Sequence, residues 1–159
     1  MRDIKFRAKR SDDGRWVYGD LVHTQKICTV TEKERTGKTA KCVIRVSNYD
    51  IDVNTIGQFT GLYDENEKEI YEGDIVDWIF FYTWWKNGGA VECDTTVRGI
   101  IEWHQGGFIL KVIENDFECA GQYGISGLNT DTKSDVTIIG NIYDNKELVN
   151  EQSEKNNPA

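Results

Sequence analysis

The sequence predicts a mainly β fold with little helix, at most a β-rich α+β class. Three observations carry that expectation. Short stretches alternate apolar and polar residues with period two, as in Ile4, Phe6 and Ala8 against Lys5, Arg7 and Lys9. Five Trp, seven Tyr and six Phe stand against a single Pro and a single Met, and aromatics suit a pleated, half-buried surface. Glycine-centred turn signals punctuate the chain, and no long amphipathic helix or internal repeat appears.

In chain order, residues 4–9 form the first expected strand, with one apolar and one basic face. Ser11-Asp12-Asp13-Gly14 is a turn, because Asp supports an Asx-turn and Gly supplies positive φ. Arg15 to Val22 returns as the second strand of an N-terminal hairpin. Residues 27–30 and 41–46 suit a further hairpin. Thr31 to Ala40, polar and centred on Gly37, reads as its projecting tip. Gln58-Phe59-Thr60 is extended, Asp64 to Lys68 is a solvated turn, and Glu72-Gly73-Asp74 is a corner. Ile75 to Trp85 is a long strand with apolar residues on both faces, which needs covering twice. Asn87-Gly88 suits a type I′ hairpin turn. Residues 91–103, 108–113 and 136–142 complete the sheet. A short element is expected around 123–128, a helical turn or two within 145–151, and a disordered tail over 150–159. The expected organisation is an N-terminal β-hairpin region (1–56), a β-barrel region (57–149) and that tail.

The 159 residues suffice for a core that buries roughly 70% of the unfolded surface without staples. A formal charge of −8, from 27 acidic and 19 basic side chains, disfavours non-specific attraction to phosphate backbones. No apolar run is long enough for a membrane span or a signal peptide, so a cytoplasmic protein is expected. Cys28, Cys42, Cys93 and Cys119 form no Cys-x-x-Cys pair and read as buried small apolar residues.

Each chemical candidate has a plainer structural reading beside it. The turn from Asp64 lacks the Gly at position 69 and the Glu at position 75 that a calcium loop requires, since Glu69 and Ile75 stand there. Glu72 and Asp74 flank Gly73 as paired carboxylates do in acid–base sites, but a barrel corner needs the same residues. His23 and His104 have no zinc-ligand spacing. No nucleophile elbow, P-loop or dinucleotide fingerprint occurs. The basic cluster Arg2, Lys5, Arg7 and Lys9 reads as a solvated edge face, with phosphate contact as its functional alternative. The aromatic series Trp78, Phe80, Phe81, Tyr82, Trp84 and Trp85 can stack bases, yet only Lys86 accompanies it. Core plus subunit interface fits it better.

The blocks Met1 to Ala8, Trp16-Val17-Tyr18-Gly19-Asp20, Gly57-Gln58-Phe59-Thr60-Gly61-Leu62, Lys68 to Val76, Gly99 to Trp103 and Ile139 to Tyr143 together resemble the YopX family of bacteriophage and prophage proteins. The resemblance implies a small intracellular phage product whose C-terminal part is an SH3-like, partly open barrel. It implies no established activity and no functional residues. One departure concerns the turn at Asp64 to Lys68, where Glu67 replaces the glycine usual in relatives. The other is the stretch from Trp78 to Val97, longer and more aromatic than the family pattern. No cofactor or metal is expected, and no catalytic role. The expected partners are a second copy of the chain and a host or phage protein. A nucleic-acid-binding module, or an acidic nucleic-acid mimic that blocks a host enzyme, is the alternative.

Overall fold

The computed structural model describes residues 3–32, 35–86, 89–115, 122–124 and 135–149. For 24–32, 35–43, 80–86, 90–93, 115 and 122–124 it describes the backbone alone. Twelve strands run in the order β1 (Phe6–Lys9), β2 (Trp16–Gly19), β3 (Leu21–Glu32), β4 (Arg35–Val46), β5 (Tyr49–Asp50), β6 (Gly57–Tyr63), β7 (Glu69–Tyr71), β8 (Asp74–Lys86), β9 (Gly89–His104), β10 (Gly107–Asn115), β11 (Gln122–Gly124) and β12 (Val136–Asn141). A 3-10 turn spans Val53–Thr55 and a helical turn covers 147–149. The class is mainly β, as the sequence predicts. The chain divides into two compact units, Met1–Phe59 and Thr60–Ala159, with the division inside β6.

In the first unit, β1 pairs antiparallel with β2 on one side and with the start of β6 on the other. The β1–β2 hairpin turns through Gly14 at φ 69°, where Arg10 N–H donates to Arg15 C=O and Gly14 N–H donates to Arg10 C=O. A second sheet orders β3-β4-β5. Ala8, Val46 and Ile51 form a small core, with Phe6, Val17, Leu21, Ile44 and Ile56 packed against it. Gly19 has no room for a side chain, because a Cβ there would collide with Ser47 Oγ. The expected tip at Thr31 to Ala40 is corrected. Pairing continues to Glu32↔Arg35, and Gly37 lies opposite Val30 inside the ladder. The unbroken register of β3 on β4 carries Gly37 into the ladder despite its local turn signal.

The second unit holds an antiparallel sheet ordered β11-β10-β9-β8-β12. Strands β8, β9 and β10 meander, and β12 returns to pair with β8. Among the described residues this sheet does not close on itself. Its core joins Ile70, Val76, Trp78, Val97, Ile101, Phe108, Leu110 and Val136. Gly99 is buried where a Cβ would meet Leu110 Cδ1 at 2.6 Å, so glycine lets β9 and β10 approach. The corner expected at Glu72-Gly73-Asp74 is present. Gly73 takes φ 83°, its N–H donates to Ile101 C=O at 2.8 Å, and buried Asp74 accepts from Tyr71 N–H at 2.8 Å. The turn after β6 is held by Asp64, whose carboxylate accepts from the N–H groups of Asn66 and Lys68. Glu67 adopts φ 62°, the glycine-like conformation that its position requires. Of the element expected around 123–128, strand β11 covers 122–124, and the rest lies outside the described residues, as does the tail from 150.

Candidate functional site

The described residues of the basic N-terminal cluster pack on aromatic rings. Strand β1 is flanked on both sides, so its residues are not on a sheet edge, and the edge reading is corrected. The partner that encloses it, β6, comes from about fifty residues downstream, beyond the reach of a local pattern. Register then sets Lys9 opposite Trp16. The Arg7 guanidinium lies 4.8 Å and the Lys9 ammonium 5.4 Å from the Trp16 ring centre, and Lys5 stands 5.4 Å over Phe59. Arg7 is only 6% exposed. Cation–π contacts of this kind are worth roughly 0.5–2 kcal/mol, and they spend these side chains on the fold. Arg2 lies outside the described residues.

An open cleft of about 340 Å³ in the first unit is lined by Arg10, Asp12, Arg45, Tyr49 and Asp50 among others. Arg10 stacks 4.6 Å from the Tyr49 ring centre and pairs with Asp12 and Asp13, and the Arg45 Nε–H donates to Asp50 at 2.6 Å. The hydrogen bond that Arg10 donates to Asp12 raises the Arg10 pKa further above its ordinary value. The Asp13 carboxyl is lowered, first by the Arg15 backbone N–H and then by the Arg15 and Arg10 guanidiniums. These charges satisfy one another at the surface, where such pairs contribute little.

The two buried carboxylates serve the backbone. Asp64 and Asp74 are buried on backbone N–H groups. His23 and His104 are exposed. Among the described residues, no group of three or more His, Cys, Asp or Glu is placed to hold a metal ion. The side chains of the four cysteines lie outside the description. Register still sets Cys28 opposite Thr39, Cys42 opposite Gln25 and Cys93 opposite Tyr82, so no two cysteines face each other in these ladders. No described helix is long and apolar enough to cross a membrane.

The aromatic strand gives the clearest site. Strand β12 pairs with β8 only over Asp74–Trp78, and β10 pairs with β9 only over Val97–His104. From Ile79↔Thr96 to Lys86↔Gly89, β8 and β9 pair with each other and, among the described residues, with nothing else. Eight residues at about 3.4 Å each make a two-stranded ribbon roughly 27 Å long. Its base is firm: Trp78 is 7% exposed and sits in the core opposite Val97. One residue further, Ile79 is 37% exposed. Alternation places Phe80, Tyr82 and Trp84 on the face that Val76 and Trp78 occupy, opposite Thr95, Cys93 and Val91. Phe81, Thr83 and Trp85 take the other face. Thus Trp78 belongs to the core, and Phe80, Phe81, Tyr82, Trp84 and Trp85 to the ribbon. The register that creates the ribbon was missed in the sequence, because it depends on where distant β10 and β12 stop.

These features define a small, mainly β protein whose second unit extends a core strand into an aromatic two-stranded ribbon. The family model described as YopX protein matches residues 5–150, and the chain belongs to the YopX family. It is also similar to the crystal structure of protein EF1440 from Enterococcus faecalis, at 22% identity and a TM-score of 0.43, over 94% of this chain and 99% of that one. No match was found among curated proteins.

Proposed function

We propose that this YopX-family protein is a non-catalytic, self-associating binding or assembly module, acting in the cytoplasm of a bacterial host as a phage or prophage product. The single observation that carries this reading is the β8–β9 ribbon, which leaves the core at Trp78 and carries five further aromatics on β8, with no other strand beside the two among the described residues. A two-stranded ribbon is marginal by itself in water. Tyr, Trp and Phe enrich the buried centres of interfaces, so a protein partner both stabilises the ribbon and uses it.

The nucleic-acid alternative has less support. The described cations of β1 are stacked on Trp16 and Phe59, and the chain carries a charge of −8. The test has two arms. Light scattering across micromolar concentrations is expected to show an oligomer, and a concentration-independent monomer overturns self-association. Affinity capture from host lysate, with and without nuclease, is expected to leave no nuclease-sensitive partner. Retained nucleic acid that leaves steeply with salt favours the alternative.

A further inference from the structure

We propose that two copies of this chain join edge to edge through β8, antiparallel across a two-fold axis, so that the occupant of the aromatic ribbon is the β8 strand of a second copy. This rests on the self-association reading above and gives it a geometry.

The outward-facing backbone groups of β8 follow from described hydrogen bonds. The Val136 carbonyl accepts from Glu65 N–H at 3.0 Å, and Ile138 N–H is directed to Asp64 Oδ2 at 3.4 Å. Both residues of β12 therefore turn their backbone groups away from β8. Their opposite numbers, Trp78 and Val76, must bond to β9 instead, because antiparallel pairs alternate between bonded and non-bonded. The β8–β9 register runs without a shift from Ile75 to Lys86. The alternation thus carries through the ribbon. Phe80, Tyr82 and Trp84 bond to β9, while Ile79, Phe81, Thr83 and Trp85 turn N–H and C=O to the edge that no described strand covers.

That edge lacks the usual protection. Sheet edges are normally blunted by Lys, Pro, inward charge or bulges, and residues 78–85 contain no charged residue and no Pro. The open edge of β9 differs, with Glu92 and Asp94 on its strand. On a molecule of charge −8, like copies repel, and β8 offers a charge-free line of approach. Pairing β8 with β9 of the next copy sets those carboxylates at the joint and leaves an open end. Pairing β8 with β8 avoids both, and two-fold contacts close on themselves. In a symmetric antiparallel pairing of outward-facing residues, Thr83 is bonded whichever of its neighbours lies on the axis.

The test is amide hydrogen exchange resolved along residues 79–85 at two concentrations, with light scattering on the same samples. The expected result is a dimer in which Ile79, Phe81, Thr83 and Trp85 are as protected as Phe80, Tyr82 and Trp84, with the odd-numbered protection falling on dilution. Thr83→Pro removes an outward N–H and leaves the β8–β9 ladder intact, so it is expected to weaken dimerisation about ten- to a hundredfold for two lost bonds per dimer. Tyr82→Pro, which breaks the ladder itself, is the control for disrupting the ribbon. A dimer whose odd-numbered amides exchange freely overturns the edge geometry and leaves self-association standing. A monomer whose odd-numbered amides exchange freely overturns both. A monomer whose odd-numbered amides are protected shows the edge covered by the chain's own residues, and also overturns the proposal.

Discussion

Strands β3 and β4 pair over twelve residues with no shift in register, and β8 and β9 pair over twelve in the same manner. Both ribbons start from a buried anchor, Val46 in the first unit and Trp78 in the second, and both run past the last strand that pairs beside them among the described residues. Their chemistry is opposed. Outside its base, the first ribbon carries Lys26, Glu32, Arg35, Lys38 and Lys41, with Lys26 set directly opposite Lys41. Like charges facing each other across strands weaken a pair and also discourage added strands. On the second ribbon, β8 from Trp78 to Trp85 has no charge at all. Identical backbone architecture therefore does not fix a role. On the proposal made above, composition sets the two apart: charges on the first ribbon keep other strands off, and the charge-free β8 receives one.

The comparison breaks most sharply at the anchors. Trp78→Ala is expected to cost about 3–5 kcal/mol, and Val46→Ala less, about 2 kcal/mol, because a larger side chain is removed from a larger core. Chemical denaturation of each variant, followed unit by unit with amide exchange, checks the ranking. Gly99→Val comes next. Its side chain would enter the space of Leu110 between β9 and β10, and overpacking of that kind costs about 1–3 kcal/mol. Equilibrium unfolding should place the loss in the second unit alone.

Smaller effects sharpen the contrast. Glu67→Gly relieves a left-handed residue in the turn beside β7, and thermal unfolding should show a gain of about 1 kcal/mol. Lys26→Glu replaces a like-charge pair by an opposite one and should stabilise the polar ribbon by about 0.2–1 kcal/mol, read as slower amide exchange there. The smallest concerns Asp13. Its folded pKa lies below the ordinary carboxylate value, chiefly through the Arg15 N–H. Its contribution is therefore present above the unfolded pKa and lost as pH falls through the folded one. Carboxyl titration by NMR should show Asp13 titrating below Asp residues in unfolded peptides, and Asp13→Asn should remove that pH dependence.

Much of the fold was legible in the residues. Period-two alternation gave β1, Gly14 gave its turn, and Gly73 with Asp74 gave the corner, because each signal acts within a few residues. The turn at Asp64 to Lys68 was legible as a departure, with Glu67 in the glycine position, and the structure supplies its left-handed φ of 62°. Three things were not legible. The basic face of β1 looked solvated because β6, which encloses it, is distant in sequence. The turn of the β3–β4 hairpin seemed to sit at Gly37, because Gly is a turn former locally and only the full ladder carries it into a strand. The aromatic run announced an interface by composition, but its free length depends on β10 and β12 ending early, which is a tertiary fact. The aromatic partner of the basic residues was hidden for a related reason: register brings Trp16 opposite, where Arg7 and Lys9 stack on it.

The most direct test of the opposed roles is sedimentation equilibrium on a matched pair of variants. One carries Phe81→Asp and Trp85→Asp in β8, and the other carries Thr29→Asp and Thr31→Asp in β3. The account predicts that the intact chain self-associates, that the β8 variant does so at least about a hundredfold more weakly, and that the β3 variant is unchanged. A β8 variant that assembles like the intact chain, or a β3 variant that falls apart, would contradict it.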